Sequence, residues 1–458
     1  MNKRQSVLET FYRGALCVYI FVLVLIMYTG TNDPTIHIKD LLTTWAALCL
    51  AGSYLLITWV ARIPLRRPPI FRTVLLGLIG LLFVSSLFSE FPAISLLETG
   101  HFFALFALYW LASQVFRNTD QVARFFAVFC IAVFIAALYA VVQAIGIDPF
   151  PWKDTTSDTY TNLPATYGNP NYAAHALILA VIMVIGLYRM GLRWTPWLLP
   201  LLAFHLYSTD QRAGWIALAG ALTLVGVGWL FLRRPKRPVL MVTATLILFT
   251  LLGAGVVGGA MYWTQARTGH AFPLDLSLLL RYQSYVSATN MLLDAPLLGH
   301  GPAVYGLAYA PDWTPFEQDW VAQEIRTNGH VHNDLIELGI DGGLAAAGLY
   351  LCTLLFGICY GLLLVARGTT PDQRRLGFVF AAFFTALAID GLFGFNLRVP
   401  VTAALFFLML GLLDGIWAED APQPAQQGRW KKHALRLAFL GALLLATRQE
   451  TKAFAGEY

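Results

Sequence analysis

Apolar residues run along this chain in blocks of roughly 20, divided by short polar segments. A block of about 17–25 residues can cross a bilayer as one helix. On that measure twelve crossings are predicted, near 14–30, 44–61, 72–88, 99–116, 123–145, 171–188, 194–208, 214–232, 238–262, 334–365, 376–394 and 399–417. The seventh is short and interrupted by Pro196 and Pro200. The tenth is long enough to tilt or to break near Gly342 and Gly343. Two polar segments exceed a turn. Residues 146–170 carry Pro149, Pro151 and Pro164 and close on Gly168-Asn169-Pro170-Asn171. Residues 263–333 are the only insertion of soluble size. Within it 276–293 has the apolar spacing of an amphipathic helix, which Pro296, Gly299, Gly301 and Pro302 then stop. Trp313, Phe316 and Trp320 suit a segment against the headgroup zone.

The pattern therefore predicts an all-α integral membrane protein of about twelve transmembrane helices with one extramembrane insertion. Four regions follow: an N-terminal bundle over 1–262, the insertion over 263–333, three further spans over 334–417, and a cytoplasmic tail over 418–458. In that tail 422–427 reads as a linker. The final apolar patch, 435–445, is short and flanked by Arg436 and Arg448, and is predicted to lie along the membrane surface.

Composition agrees. Only 12% of residues are charged, against about 25% in soluble domains, and mean hydropathy is +0.62. The five cysteines all sit in apolar blocks without a CxxC pair, which argues against a disulfide framework or a thiolate metal site. The first apolar run has no small-residue cleavage site after it and is predicted to be a retained helix. Charge then orients the blocks. Of the 31 Lys and Arg residues, 24 fall in alternate segments beginning with the N-terminus, so both termini are predicted to be cytoplasmic.

The remaining basic residues draw attention because they lie on the outer side. Arg212 sits in a tight turn, Ser208-Thr209-Asp210-Gln211-Arg212-Ala213-Gly214-Trp215, and Arg281 opens the insertion's amphipathic helix. A guanidinium at the interface either snorkels or binds a phosphate through its planar fork. Arg326 is outside too. His330 and His332 end the insertion, followed by Asn333, Asp334 and Glu337. They are structural histidines, a fragment of a metal site, or a neutral imidazole that takes a proton near neutral pH. The lack of further ligands and of an HExxH pattern disfavours metal. Asp334 and Glu337 can orient a histidine or cap the helix. Asn169 and Asn171 are turn residues or hydrogen-bonding partners for a headgroup or sugar. There is no phosphate-binding Gly-x-x-x-x-Gly-Lys loop and no dinucleotide fingerprint. The extramembrane segments are also too short for a nucleotide-sugar domain. An enzyme working outside on these terms needs a donor activated beforehand and delivered in the membrane, such as a polyprenyl-diphosphate glycan.

Four motifs in order, Tyr167-Gly168-Asn169-Pro170-Asn171, Gln211-Arg212-Ala213-Gly214-Trp215, Arg281 with Asp294-Ala295-Pro296-Leu297-Leu298-Gly299-His300-Gly301-Pro302, and His332-Asn333-Asp334 running into Glu337-Leu338-Gly339, resemble the O-antigen ligase and polymerase superfamily of bacterial envelopes. The spacing from Asn333 to Gly339 is about one helical turn shorter than the family's usual pattern. The resemblance implies a GT-C-like membrane glycosyltransferase in the bacterial inner membrane, with a periplasmic insertion and active site. It implies an undecaprenyl-diphosphate-linked glycan as donor and a lipid A–core sugar as acceptor, with membrane lipids as surroundings, no nucleic acid, no cofactor and no metal. Arg212 and Arg281 then match the family's diphosphate-binding arginines and His332 its catalytic histidine, with His330 a second candidate. Asn333, Asp334, Asn169, Asn171 and Arg326 would support them. O-antigen ligase is the leading expectation; a polymerase or an O-linked protein oligosaccharyltransferase are the alternatives within the superfamily. A transporter or flippase is the alternative outside it, for which Asp390 and Asp414 are the intramembrane charges to examine.

Overall fold

The structure, a computed structural model, describes residues 3–31, 33–66, 70–150, 162–232, 276–324, 329–418 and 429–456. Every regular element among them is helical. The helices are α1 (Lys3–Leu25), α2 (Ile36–Val60, with a π-helical stretch at Ala47–Gly52), α3 (Arg72–Phe88), α4 (Pro92–Val115), α5 (Thr119–Ala144) and α6 (Pro170–Arg189). They continue as α7 (Leu199–Ser208), α8 (Arg212–Leu232), α9 (Leu276–Asp294), α10 (Pro315–Glu324), α11 (Asp334–Arg367), α12 (Pro371–Asp390), α13 (Pro400–Trp417) and α14 (Arg429–Gly456).

Among the described residues, seven helices, α1, α2, α4, α5, α6, α11 and α13, are long and apolar enough to cross a membrane. This makes the chain a multi-pass membrane protein without reproducing the count of twelve. The third and eighth predicted spans are shorter apolar helices within α3 and α8. The seventh is the ten-residue α7, about 15 Å long and too short to cross alone. The ninth predicted span, 238–262, lies outside the described residues, as does the part of the predicted insertion before α9, 263–275.

The two ends of the bundle differ. At the C-terminal end of α4, Arg13 donates to the Val115 carbonyl (2.8 Å), and Arg66 donates to the carbonyls of Phe116 (3.2 Å) and Gly415 (3.1 Å). Asp414 accepts there from the Ile70 and Phe71 amides and the Tyr109 hydroxyl. That carboxylate pins α13 to α4 and the start of α3, which gives it a structural role. At the N-terminal end of α4, Arg398 pairs with Glu98. The 24 residues of α4 separate the two ends by about 36 Å.

α11 breaks where the sequence allowed it. Gly342 and Gly343 leave helical geometry, Gly343 at φ +78°. The loop after α9 fills the break. His300 and Gly301 donate their amides to the carbonyls of Ile340 (2.6 Å) and Asp341 (3.2 Å), and Leu344 donates to Pro296 (2.9 Å). Backbone groups freed inside a membrane bundle must find partners, and this loop supplies them. A side chain at Gly343 would strike the Leu297 carbonyl.

At the C-terminal end of the chain, α14 packs lengthwise on α2 and α4, antiparallel to α2. His433 stacks on Trp59, Gly52 faces Leu440, Thr447 donates to the Thr44 carbonyl, and the Trp45 indole donates to Thr451. Aromatic Phe439 packs between Phe103 and Trp110, and Gly100 gives Ala446 room to approach. These lateral contacts outweigh the segment's low mean hydropathy.

Candidate active site

Four helix ends, those of α6, α8, α11 and α12, and one side of α9 build the site. α6 starts with Pro170 at its first position, and the Asn169 side chain caps it by accepting from the Asn171 amide at 2.8 Å. Asn171 and, one turn on, His175 therefore share a face. α11 is capped by Asn333, whose side chain accepts from the amides of Leu335 (3.0 Å) and Ile336 (3.1 Å). α12 ends at Asp390, and the loop that follows is tied to the start of α11. Asp334 donates its amide to the Gly391 carbonyl (2.8 Å), and its buried carboxylate accepts the amides of Asn396 and Leu397, each at 3.2 Å. α9 joins through Tyr285, whose hydroxyl lies 2.6 Å from the Leu392 carbonyl and 2.9 Å from that of His332. Arg281 sits one turn before Tyr285 on the same side of α9.

The result is one cleft, partly open to solvent. Arg281, His332, Asn171, Gln211, His175 and Asp390 line it, with Phe393, Gly394 and Phe395. Sequence reading had singled out Arg281, His332 and Asn171 from separate segments, and the fold brings them together. Arg212 stands beside the cleft: its neighbours Gln211 and Ala213 line it, while Arg212 itself is exposed at the start of α8. Arg326 lies outside the described residues. Asn169, Asn333 and Asp334 act on the backbone, holding the helix ends in place.

The two histidines differ in surroundings. His332 adopts a left-handed backbone at φ +60°, a conformation costly for a residue with a side chain and found where function fixes geometry. Its ring meets Phe395 edge-on at 4.9 Å. Loss of hydration, then the charge of Arg281, then His330, push its pKa down to about 3, so the ring is neutral. His330 stacks flat on the same Phe395 at 4.3 Å. Its Nδ1 donates to Glu337 at 2.8 Å, and Glu337 also accepts the Val331 amide at 3.1 Å. A carboxylate on one ring nitrogen fixes the tautomer and leaves the other nitrogen as proton acceptor. Glu337 thus orients a histidine, as its place on the helix suggested, and that histidine is His330.

Behind them lies an ionic network. Arg398 reaches Glu98, Asp341 and, at 3.3 Å, Glu337. It joins α4 to the part of α11 before the break, where Glu337 in turn holds the histidine loop. Sequence reading singled out neither Arg398 nor His175, which sits inside an apolar run. Its spacing of four from Asn171 was the available signal. Asp390 had been noted only as a possible transport residue. Among the described residues, no group of three or more His, Cys, Asp or Glu side chains is placed to hold a metal ion.

Residues 197–351 match the family model described as O-Antigen ligase. No curated protein matches the chain. The superfamily resemblance carried by the motifs is thus supported by an O-antigen ligase-like domain over that stretch. The match takes in Gln211, Arg212, Arg281, His330 and His332, whereas Asn171, His175, Asp390 and Arg398 come from outside it.

Proposed function

We propose that the chain is an O-antigen ligase. It moves a glycan from undecaprenyl diphosphate to a lipid A–core sugar, at the periplasmic face of the bacterial inner membrane, by a metal-independent inverting mechanism. The observation that carries this reading is the convergence of Arg281 and His332 in one cleft at one end of a membrane bundle. Arg281, with Arg212 at the rim, binds the donor's diphosphate and stabilises the charge that builds as it leaves. His332 is neutral and takes the proton of the acceptor hydroxyl as that oxygen attacks the anomeric carbon from the opposite face. A bound diphosphate offsets the Arg281 charge that depresses His332, so the base strengthens when donor is present.

A specific contact favours a second assignment within the same reaction. The Glu337–His330 pair has the arrangement of a base and its orienting carboxylate, which makes His330 the acceptor of the proton and His332 a neutral hydrogen-bonding group. Purified enzyme given an undecaprenyl-diphosphate glycan and rough lipopolysaccharide tests the reading. Capped lipopolysaccharide supports a ligase; a ladder of lengthened lipid-linked glycans makes it a polymerase instead. His332→Ala and His330→Ala separate the assignments, since loss of the base lowers kcat by about 10²–10⁴-fold.

A further inference from the structure

The cleft contains a histidine–carboxylate contact that the transfer described above does not use. His175 Nδ1 on α6 lies 2.5 Å from Asp390 Oδ2 at the end of α12. The two residues are 5% and 1% exposed, and both line the cleft with Arg281 and His332. The contact is at ion-pair distance without hydrogen-bond alignment. Neither ring nitrogen of His175 and neither carboxylate oxygen of Asp390 has a hydrogen-bond partner among the described residues. Buried polar atoms in folded proteins are nearly always paired. Two such residues on the wall of a cleft point to a ligand that completes them.

Charge says what kind. Arg281 brings a full positive charge to a lining in which Asp390 is the single carboxylate, and that carboxylate already faces His175. The field inside favours an anion. Gly394 keeps the space beside the ring open, because a Cβ there would come within 2.7 Å of Cε1 and 3.1 Å of Nε2.

We infer that His175, held by Asp390, is a further cationic contact for the diphosphate of the lipid-linked donor, on a different helix from Arg281. The inference rests on the glycosyl-transfer reading above. Asp390 holds the ring from its Nδ1 side, and Nε2–H donates to a non-bridging phosphate oxygen. That charge-assisted hydrogen bond strengthens as the anomeric C–O bond breaks and its electron pair passes to the diphosphate. His175 gives up no proton in the step. The new C–O bond forms to the acceptor oxygen, whose proton goes to the histidine of the 330–332 loop.

The test is binding of farnesyl diphosphate and farnesyl monophosphate to the purified full chain in nanodiscs. His175→Gln and Asp390→Asn are each expected to weaken farnesyl diphosphate at least about tenfold and farnesyl monophosphate less. His175→Lys, which restores charge without the ring, recovers part of the loss. Variants that melt like wild type and bind farnesyl diphosphate with wild-type affinity overturn the inference. Equal losses for both ligands with no recovery by His175→Lys also overturn it, since the pair then only packs α6 against α12. If His175→Gln does not fold, Asp390→Asn carries the comparison, because it leaves the ring in place. Arg281→Gln is the reference. If it weakens the diphosphate while His175→Gln does not, this inference alone fails; if neither has an effect, the diphosphate reading of the cleft fails with it.

Discussion

Two histidines separated by one valine face different partners, and that difference makes distinct demands on pH. His332 has its pKa held down to about 3 by burial, then by Arg281 and His330. A base must be unprotonated, so a lowered pKa keeps His332 competent as pH falls, and its activity is lost only on passing through that low value. If His332 is the base, kcat/KM shows no acid limb near the ordinary histidine value of about 6.5. Arg281→Gln removes the second cause of the depression, so the limb moves to higher pH, measured with saturating acceptor. Glu337 makes a separate prediction. Replacing it by Gln removes the charge that orients His330 and faces Arg398. If His330 is the base, kcat falls on the order of 10²-fold with little change in donor KM; an unchanged kcat leaves Glu337 as a structural residue. The outer arginines and the His-Val-His loop were legible in the sequence because charge in a polar outer segment stands out. His175 was hidden because one histidine in an apolar run carries no periodic signal, and only packing against α12 reveals its partner.

Elements decide how these side chains meet. The break in α11 depends on the loop after α9, whose amides replace the missing intrahelical bonds at Ile340 and Asp341. Sequence reading located both the break and the loop from their glycines and prolines, but not that one fills the other, because that contact joins segments far apart in the chain. Gly343 has a left-handed backbone and lies against the Leu297 carbonyl. Gly343→Val is expected to destabilise the protein by at least about 2 kcal/mol, read as a lower melting temperature in detergent, with transfer lost in parallel because Asp341 and Arg398 shift with the break. A variant that melts and transfers like wild type would show that this loop does not brace the site.

At the scale of the whole molecule, apolar block length predicted a membrane bundle and placed most of its helices. For the short apolar patch of α14, flanked by Arg436 and Arg448, it predicted a place along the membrane surface. The tertiary contacts run from Trp59 at one end of α2 to Trp45 near the other, and Phe454 reaches Tyr28 just beyond the end of α1. This packing predicts that cysteines introduced at His433 and at Lys452 react with impermeant maleimide from opposite sides of the membrane. Equal labelling from the cytoplasmic side would contradict it and return the tail to the position expected from its charge.

The central claim is that Arg281 and His332 form one glycosyl-transfer site, and a reconstituted transfer assay tests it most directly. Wild type, Arg281→Gln and His332→Ala receive the same undecaprenyl-diphosphate glycan with rough lipopolysaccharide as acceptor. The account predicts capped lipopolysaccharide from wild type and a loss of at least about 10²-fold in each variant, with donor affinity falling in Arg281→Gln and preserved in His332→Ala. Wild-type rates in both variants, or no transfer by wild type to lipopolysaccharide with a competent donor, would contradict it.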